Sequence, residues 1–422
     1  MNTDMSRHWL LEPGLTFLNH GAFGACPIPV LAAQAAWRER MENDPVRFFD
    51  GILPTELDRA REALGAFIHA DPADLVFVPN ATTGVNTVLR SLEPGLHAGD
   101  ELLTTDHEYN ATLNALGAIA ARTGARVVVA RVPFPVGSPA EVLDAILGRV
   151  GPRTRLAMVS HVTSATAVVF PIEGLAAALS SRGVDLLVDA AHAPGMVPLD
   201  IGRLADAGAT YITGNGHKWL CGPKGAAFLW VRRDRQPGIR PLVTSHGANA
   251  PSSSRSRFQE EADWTGTADP SAILSLPAAI EFMASLHPEG WRGVMAANHA
   301  LALAGRSVVA DALGARRPVP DDMLGSICAL PVPVDLPPVP FTEAGADPDV
   351  QLPEDPLHDE LLERQRIQVP VYAWPPTPRF GPARRLLRIS AQLYNDLDDY
   401  RRLADVLRSI RADASTAHAP GD

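Results

Sequence analysis

The stretch Asp185-Leu-Leu-Val-Asp-Ala-Ala-His-Ala-Pro194 decides the architecture. Three apolar residues between aspartates read as a short buried strand, and the polar cluster after them reads as a turn that carries chemistry. An aspartate closing an apolar strand costs free energy unless a positive partner waits there. It serves either as the N-cap of the next helix or as a carboxylate that holds a heterocyclic nitrogen protonated.

On both sides of this stretch the same pattern recurs. Strand-like runs fall at 74–79, 100–105, 126–131, 155–160, 185–189, 209–213 and 225–231. Helix-like segments fall between them at 83–92, 109–123, 140–150 and 172–182. Short apolar strands alternating with helices predict an α/β fold with a mostly parallel seven-stranded sheet between helices. In such sheets ligands gather at the carboxyl ends of the strands, and the polar clusters of this chain all follow strands.

Further along, one helix is expected over 270–286 and another over 291–313, leading into a smaller α+β C-terminal domain. The proline- and acid-rich stretch 330–356 reads as an irregular loop, 386–390 as a strand and 396–412 as a helix. The expected division is an N-terminal segment 1–30, a large domain 31–286, a small domain 287–412 and a disordered tail 413–422.

Bulk properties bound the function. The chain has 422 residues, which suits two domains, and a net charge of −11, which excludes nucleic acid as a bulk partner. Its three cysteines, Cys26, Cys221 and Cys328, are far apart, so neither a disulfide framework nor a metal site is read. No segment reads as a signal peptide or a membrane span, and a cytoplasmic location is expected.

Lysine occurs only twice among 37 basic residues, at Lys218 and Lys224, and the rest are arginine. Arginine stays protonated, whereas a desolvated lysine loses its proton and forms a Schiff base with a carbonyl. Lys218, in Gly214-Asn-Gly-His-Lys-Trp219, is therefore the first candidate for chemistry, against the alternative of a solvated turn lysine. Asn80-Ala-Thr-Thr-Gly-Val-Asn86 opens a helix after a strand, and cradles a phosphate or merely caps that helix. Tyr109, in Asp106-His-Glu-Tyr-Asn110, is either a stacking platform or packing.

Taken together, these elements are what pyridoxal phosphate needs. The chain resembles the class V aminotransferase family of fold type I pyridoxal-phosphate enzymes. It is most similar to the isopenicillin N epimerase-like branch, related to cysteine desulfurases and C–S lyases. The resemblance covers about residues 17–407. It rests on Phe17-Leu-Asn-His-Gly-Ala-Phe-Gly24, Val188-Asp-Ala-Ala-His192, Asn215-Gly-His-Lys-Trp219, Trp264-Thr-Gly-Thr-Ala-Asp269 and Leu387-Arg-Ile-Ser-Ala-Gln-Leu-Tyr-Asn395.

The resemblance implies roles for single residues. Lys218 matches the lysine that bonds to the cofactor aldehyde and then shuttles the Cα proton. Asp189 matches the partner of the ring nitrogen, and His192 a position near the ring hydroxyl. Tyr109 stands where desulfurases have a stacking histidine. Thr82 and Thr83 match the phosphate cradle, with Asn215 and His217 reaching the same phosphate. Thr267 matches a segment that crosses a homodimer interface towards that phosphate, which places the active site at the interface. Arg388 matches the arginine that takes the substrate α-carboxylate, against the alternative of a surface charge. His20 and Arg47 are candidates for the substrate side chain, and His246 for the entrance.

Two departures stand out. Ser164 occupies the place of an asparagine near the ring hydroxyl. The stretch 369–381 lacks the persulfide cysteine that desulfurases carry shortly before the carboxylate arginine. The expected reaction is β-elimination on an S-substituted L-cysteine, in thiol or secondary-metabolite chemistry such as antibiotic biosynthesis. Alternatives are epimerisation, decarboxylating oxidative deamination, transamination, or a non-catalytic cofactor-binding regulator.

Overall fold

The computed structural model describes residues 3–251, 255–334, 336–338, 347, 350–353 and 355–417. Seven strands form the central sheet: β1 (Leu75–Val78), β2 (Glu101–Thr105), β3 (Arg126–Ala130), β4 (Thr154–Ser160), β5 (Asp185–Asp189), β6 (Tyr211–Asn215) and β7 (Ala227–Val231). Their order is β1-β7-β6-β5-β4-β2-β3. All pair in parallel except β7, which runs antiparallel to both neighbours. The link between β6 and β7 holds no helix, and a parallel return needs a crossover of a dozen or more residues.

Every residue of β1, β6 and β7 is buried, as expected for strands covered on both faces. Register places Ser160 opposite Asp189 and Asp189 opposite Thr213, so the C-terminal edge of β4, β5 and β6 carries a row of polar side chains. That edge is the floor of the site.

The crossover helices follow the expected positions to within two or three residues. The helix expected over 270–286 is instead two, Ser271–Leu274 and Leu276–Ser285. Pro277 has no N–H to continue the first and opens the second. Helices Ile28–Asn43 and Leu53–Ile68 were not foreseen. The first buries only Val30 and Gln34, so it has almost no apolar stripe to read.

In the C-terminal part, strands Val371–Trp374, Arg384–Ser390 and Ile327–Pro331 form an antiparallel sheet in that order. The loop expected from residue 330 therefore starts only after Pro331, and much of it lies outside the described residues. Helix Gly290–Leu313 packs along helix Leu397–Ala417. The latter runs into the tail expected to be disordered, of which 418–422 lie outside the described residues. The N-terminal segment is tied to this part of the molecule, because Thr16–Phe17 pairs in parallel with Ile367–Gln368. One hydrophobic cluster is continuous from Leu18 through Val188 and Trp219 to Leu407.

Candidate active site

A cavity of about 800 Å³ opens at the C-terminal edge of the sheet, between the two parts of the chain. It is lined by Asn19, Phe23, Thr82, Glu108, Tyr109, Ser164, Asp189, His192, Asn215, His217, Lys218, Lys224, Tyr372, Trp374 and Arg388, among others.

Lys218 sits in the turn between β6 and β7. Burial, reinforced by repulsion from Arg388 and partly offset by Asp189, lowers its pKa from 10.5 to about 8. Its Nζ lies 3.1 Å from His192 Nε2. Asp189 ends β5. Its Oδ1 accepts from the Ala191 amide at 2.9 Å, and Oδ2 has no partner among the described residues. Burial raises its pKa, with the Ala191 amide and Lys218 opposing. A protonated ring nitrogen facing Oδ2 would restore the charge.

The phosphate cradle is the N-terminus of helix Ala81–Leu92. Asn80 caps it by accepting from the Thr83 amide and hydroxyl at 2.8 and 3.0 Å. Asn215 Oδ1 takes the Ala81 amide at 2.9 Å, binding this helix to the lysine turn. Thr83 is thus consumed by the cap and does not line the cavity, while Thr82 does line it. The Thr82 hydroxyl has no partner among the described residues and sits at the positive end of the helix. His217 donates Nδ1–H to the Ala226 carbonyl at 3.3 Å, and burial lowers its pKa to about 4. It meets a phosphate as a donor only if the anion itself raises that pKa.

Arg388 comes from strand Arg384–Ser390. Its Nη1 donates to the Ser164 carbonyl at 2.6 Å and to the Ser164 hydroxyl at 3.1 Å, and it lies over the Tyr372 ring. Its Nε is buried without a partner. Such a group awaits a carboxylate, because an orphaned buried guanidinium N–H is costly. Ser164 therefore aims Arg388.

Other expected residues lie elsewhere. His20 does not line the cavity. It is fully buried, bonded to the Tyr394 hydroxyl at 2.8 Å and the Lys218 carbonyl at 3.1 Å, and so braces the lysine turn. Arg47 and His246 are exposed and do not line the cavity either. Thr267 is exposed and away from the cavity of its own chain. Tyr109 stands at the rim, 51% exposed.

Sequence reading missed Glu108. This buried carboxyl lines the cavity, accepting from Thr105 Oγ1 at 2.9 Å and Ser160 N at 3.1 Å on one oxygen, with Ser160 Oγ at 2.5 Å from the other. Burial, aided by Asp189, raises its pKa to about 7 against those hydrogen bonds. Also missed were Asn19, whose Oδ1 is buried without a partner, and the aromatic wall of Tyr372 and Trp374.

The open groups form a set. A free hydroxyl at a helix N-terminus, a bare carboxylate oxygen, an amine of lowered pKa and an incompletely bonded guanidinium fit pyridoxal phosphate together with an amino acid. No group of residues able to hold a metal occurs among the described residues, and no described helix is long and apolar enough to cross a membrane.

Residues 50–322 match the family model "Aminotransferase class-V". A probable chloroplastic L-cysteine desulfhydrase of Arabidopsis thaliana is 31% identical, covering 98% of this chain and 86% of that protein. An isopenicillin N epimerase of Amycolatopsis lactamdurans is 34% identical over 95% of this chain and 96% of its own length. Among solved structures, the cystine C-S lyase C-DES in complex with cysteine persulfide superposes with a TM-score of 0.74 at 22% identity, over 94% of this chain and 98% of that one.

Proposed function

Because the chain belongs to the class-V aminotransferase family, whose members depend on pyridoxal phosphate, we propose that it cleaves the Cβ–S bond of an S-substituted L-cysteine. With one water, the products are a thiol, pyruvate and ammonia. The observation that carries this reading is the state of the sulfurs. None of the three cysteines lines the cavity, all are buried, and burial raises the pKa of each. No thiolate is therefore at hand to take sulfur from the substrate. The cavity of about 800 Å³ lies within the roughly 300–1,000 Å³ of sites for drug-sized ligands, which leaves room for a substituted side chain.

The bound cofactor supplies an electron sink for the pair left on Cα. This chain's residues do the rest. Arg388, aimed by Ser164, pairs with the α-carboxylate and fixes the face on which Cα lies. Lys218, its pKa lowered to about 8, takes the Cα proton as the free amine. Asp189 keeps the ring nitrogen protonated through its open Oδ2. Tyr372 and Trp374 form an apolar wall for the sulfur substituent. The protein acts as a homodimer with Thr267 reaching the partner's phosphate site. The exposed Phe23 and Tyr109 at the cavity mouth support this reading, since a second copy would cover them.

Epimerisation is the second reading, and Glu108 favours it. A carboxyl still half-protonated at neutral pH inside the cavity is a candidate second acid. Incubation with S-alkyl-L-cysteines in D2O separates the two. Stoichiometric thiol and pyruvate support elimination. Recovered substrate that is racemised and deuterated at Cα, without thiol, overturns it in favour of epimerisation.

A further inference from the structure

Behind Lys218 lies a chain of two hydrogen bonds. The Trp219 indole Nε1 sits 3.3 Å from His192 Nδ1, and His192 Nε2 sits 3.1 Å from Lys218 Nζ. Both rings are buried. An indole N–H only donates, so Nδ1 must present its lone pair. A neutral imidazole then carries its proton on Nε2, facing the lysine. Lysine nitrogen accepts a hydrogen bond only as the neutral amine.

The geometry points to Trp219 as a positioning residue that locks the His192 tautomer, so that His192 donates to Lys218 and favours the amine form needed to capture the cofactor aldehyde.

The opposite arrangement has Lys218 as an ammonium donating to Nε2. The His192 proton then sits on Nδ1, pointed at the indole N–H. That brings two donors together and strands a buried indole N–H, which is costly. The surroundings agree with the first arrangement. Burial above all, with Arg388 adding to it, holds the His192 pKa well below 6.5, so the ring stays neutral. Around Lys218, Arg388 disfavours the charged form, and Asp189 alone opposes it. His20 packs against the Trp219 ring with centroids 4.9 Å apart and is itself neutral, its pKa lowered to about 3 by burial. The indole is further fixed within the main hydrophobic cluster. Its orientation is thus set by packing, and the tautomer follows from it.

The test uses the scarcity of lysine. Protein labelled with 13Cε-lysine gives two resonances, because the chain has only Lys218 and Lys224. In the full chain before cofactor loading, the Lys218 signal is expected to titrate near pH 8. In Trp219→Phe its midpoint should rise by about one pH unit, the scale of one lost hydrogen bond, while Lys224 stays put. In the His192→Gln background the amide can still accept from the indole and donate to the amine, and the midpoint should stay near the wild-type value. 15N-histidine spectra of wild-type holoenzyme should show His192 protonated at Nε2. A proton on Nδ1, or an unmoved Lys218 midpoint in folded Trp219→Phe, overturns the assignment. If Trp219→Phe does not fold, the wild-type tautomer alone decides.

Discussion

Replacing Glu108 with glutamine is expected to stabilise the cofactor-free protein above pH 7 and to leave it nearly unchanged near pH 4.5. Glu108 keeps its proton in the folded state up to about pH 7, whereas an ordinary glutamate loses it at 4.5. The folded state therefore binds one more proton than the unfolded chain between those values. Stability falls as pH rises wherever that holds. The penalty is absent below about 4.5, grows across the window and is complete above about 7. Its full size is about 3 kcal/mol for that separation.

Glutamine fits the same bonds. Its carbonyl replaces the oxygen that accepts from Thr105 and the Ser160 amide, and its NH₂ donates to the Ser160 hydroxyl. The variant thus mimics the protonated acid at every pH. The assay is urea unfolding of both proteins at pH 5 and pH 8. The difference should be about 0.8 kcal/mol at pH 5 and about 3 kcal/mol at pH 8. A difference of equal size at both pH values would mean that Glu108 titrates normally despite its burial, and the raised pKa would have to be abandoned.

Three more outcomes are expected. Cofactor capture by the cofactor-free protein should quicken roughly fifty-fold between pH 6 and pH 8 and only about twofold beyond, following the neutral amine of Lys218; stopped-flow absorbance checks this, and a rise that continues to pH 10 contradicts it. Arg388→Lys should raise KM by about 10- to 100-fold with a smaller change in kcat, since a point charge replaces a guanidinium already aimed by Ser164; steady-state kinetics decide it. Asp355→Ala should cost about 3–5 kcal/mol of stability, because it leaves buried Arg385 without its bidentate partner; urea unfolding measures it.

The central strands were legible because strands covered on both faces are unbroken apolar runs, as in Asp185–Asp189. Their direction was less so: β7 turns back because its link is short, a matter of connection rather than of its own residues. Helix Ile28–Asn43 was hidden by its weak apolar stripe, and the break at Pro277 by an otherwise helical run. Strand Val371–Trp374 was masked by the prolines around it, and with it the aromatic wall of the cavity.

In the site, residue types announced Lys218, Asp189 and Arg388. What sequence does not encode locally is which neighbour fills a hydrogen bond. Thr83 spends its donors on Asn80, and His20 turns away to Tyr394 and the Lys218 carbonyl. Ser164 serves Arg388. Glu108, between His107 and Tyr109, gained its meaning only from its distance to Ser160 on the next strand.

The covalent bond between Lys218 and the cofactor aldehyde can be trapped by borohydride reduction of the purified protein and located by peptide mass mapping. A reduced pyridoxyl adduct on Lys218, with Lys224 unmodified, is the predicted result. An adduct on Lys224, or no adduct on any lysine, would contradict the role assigned to Lys218.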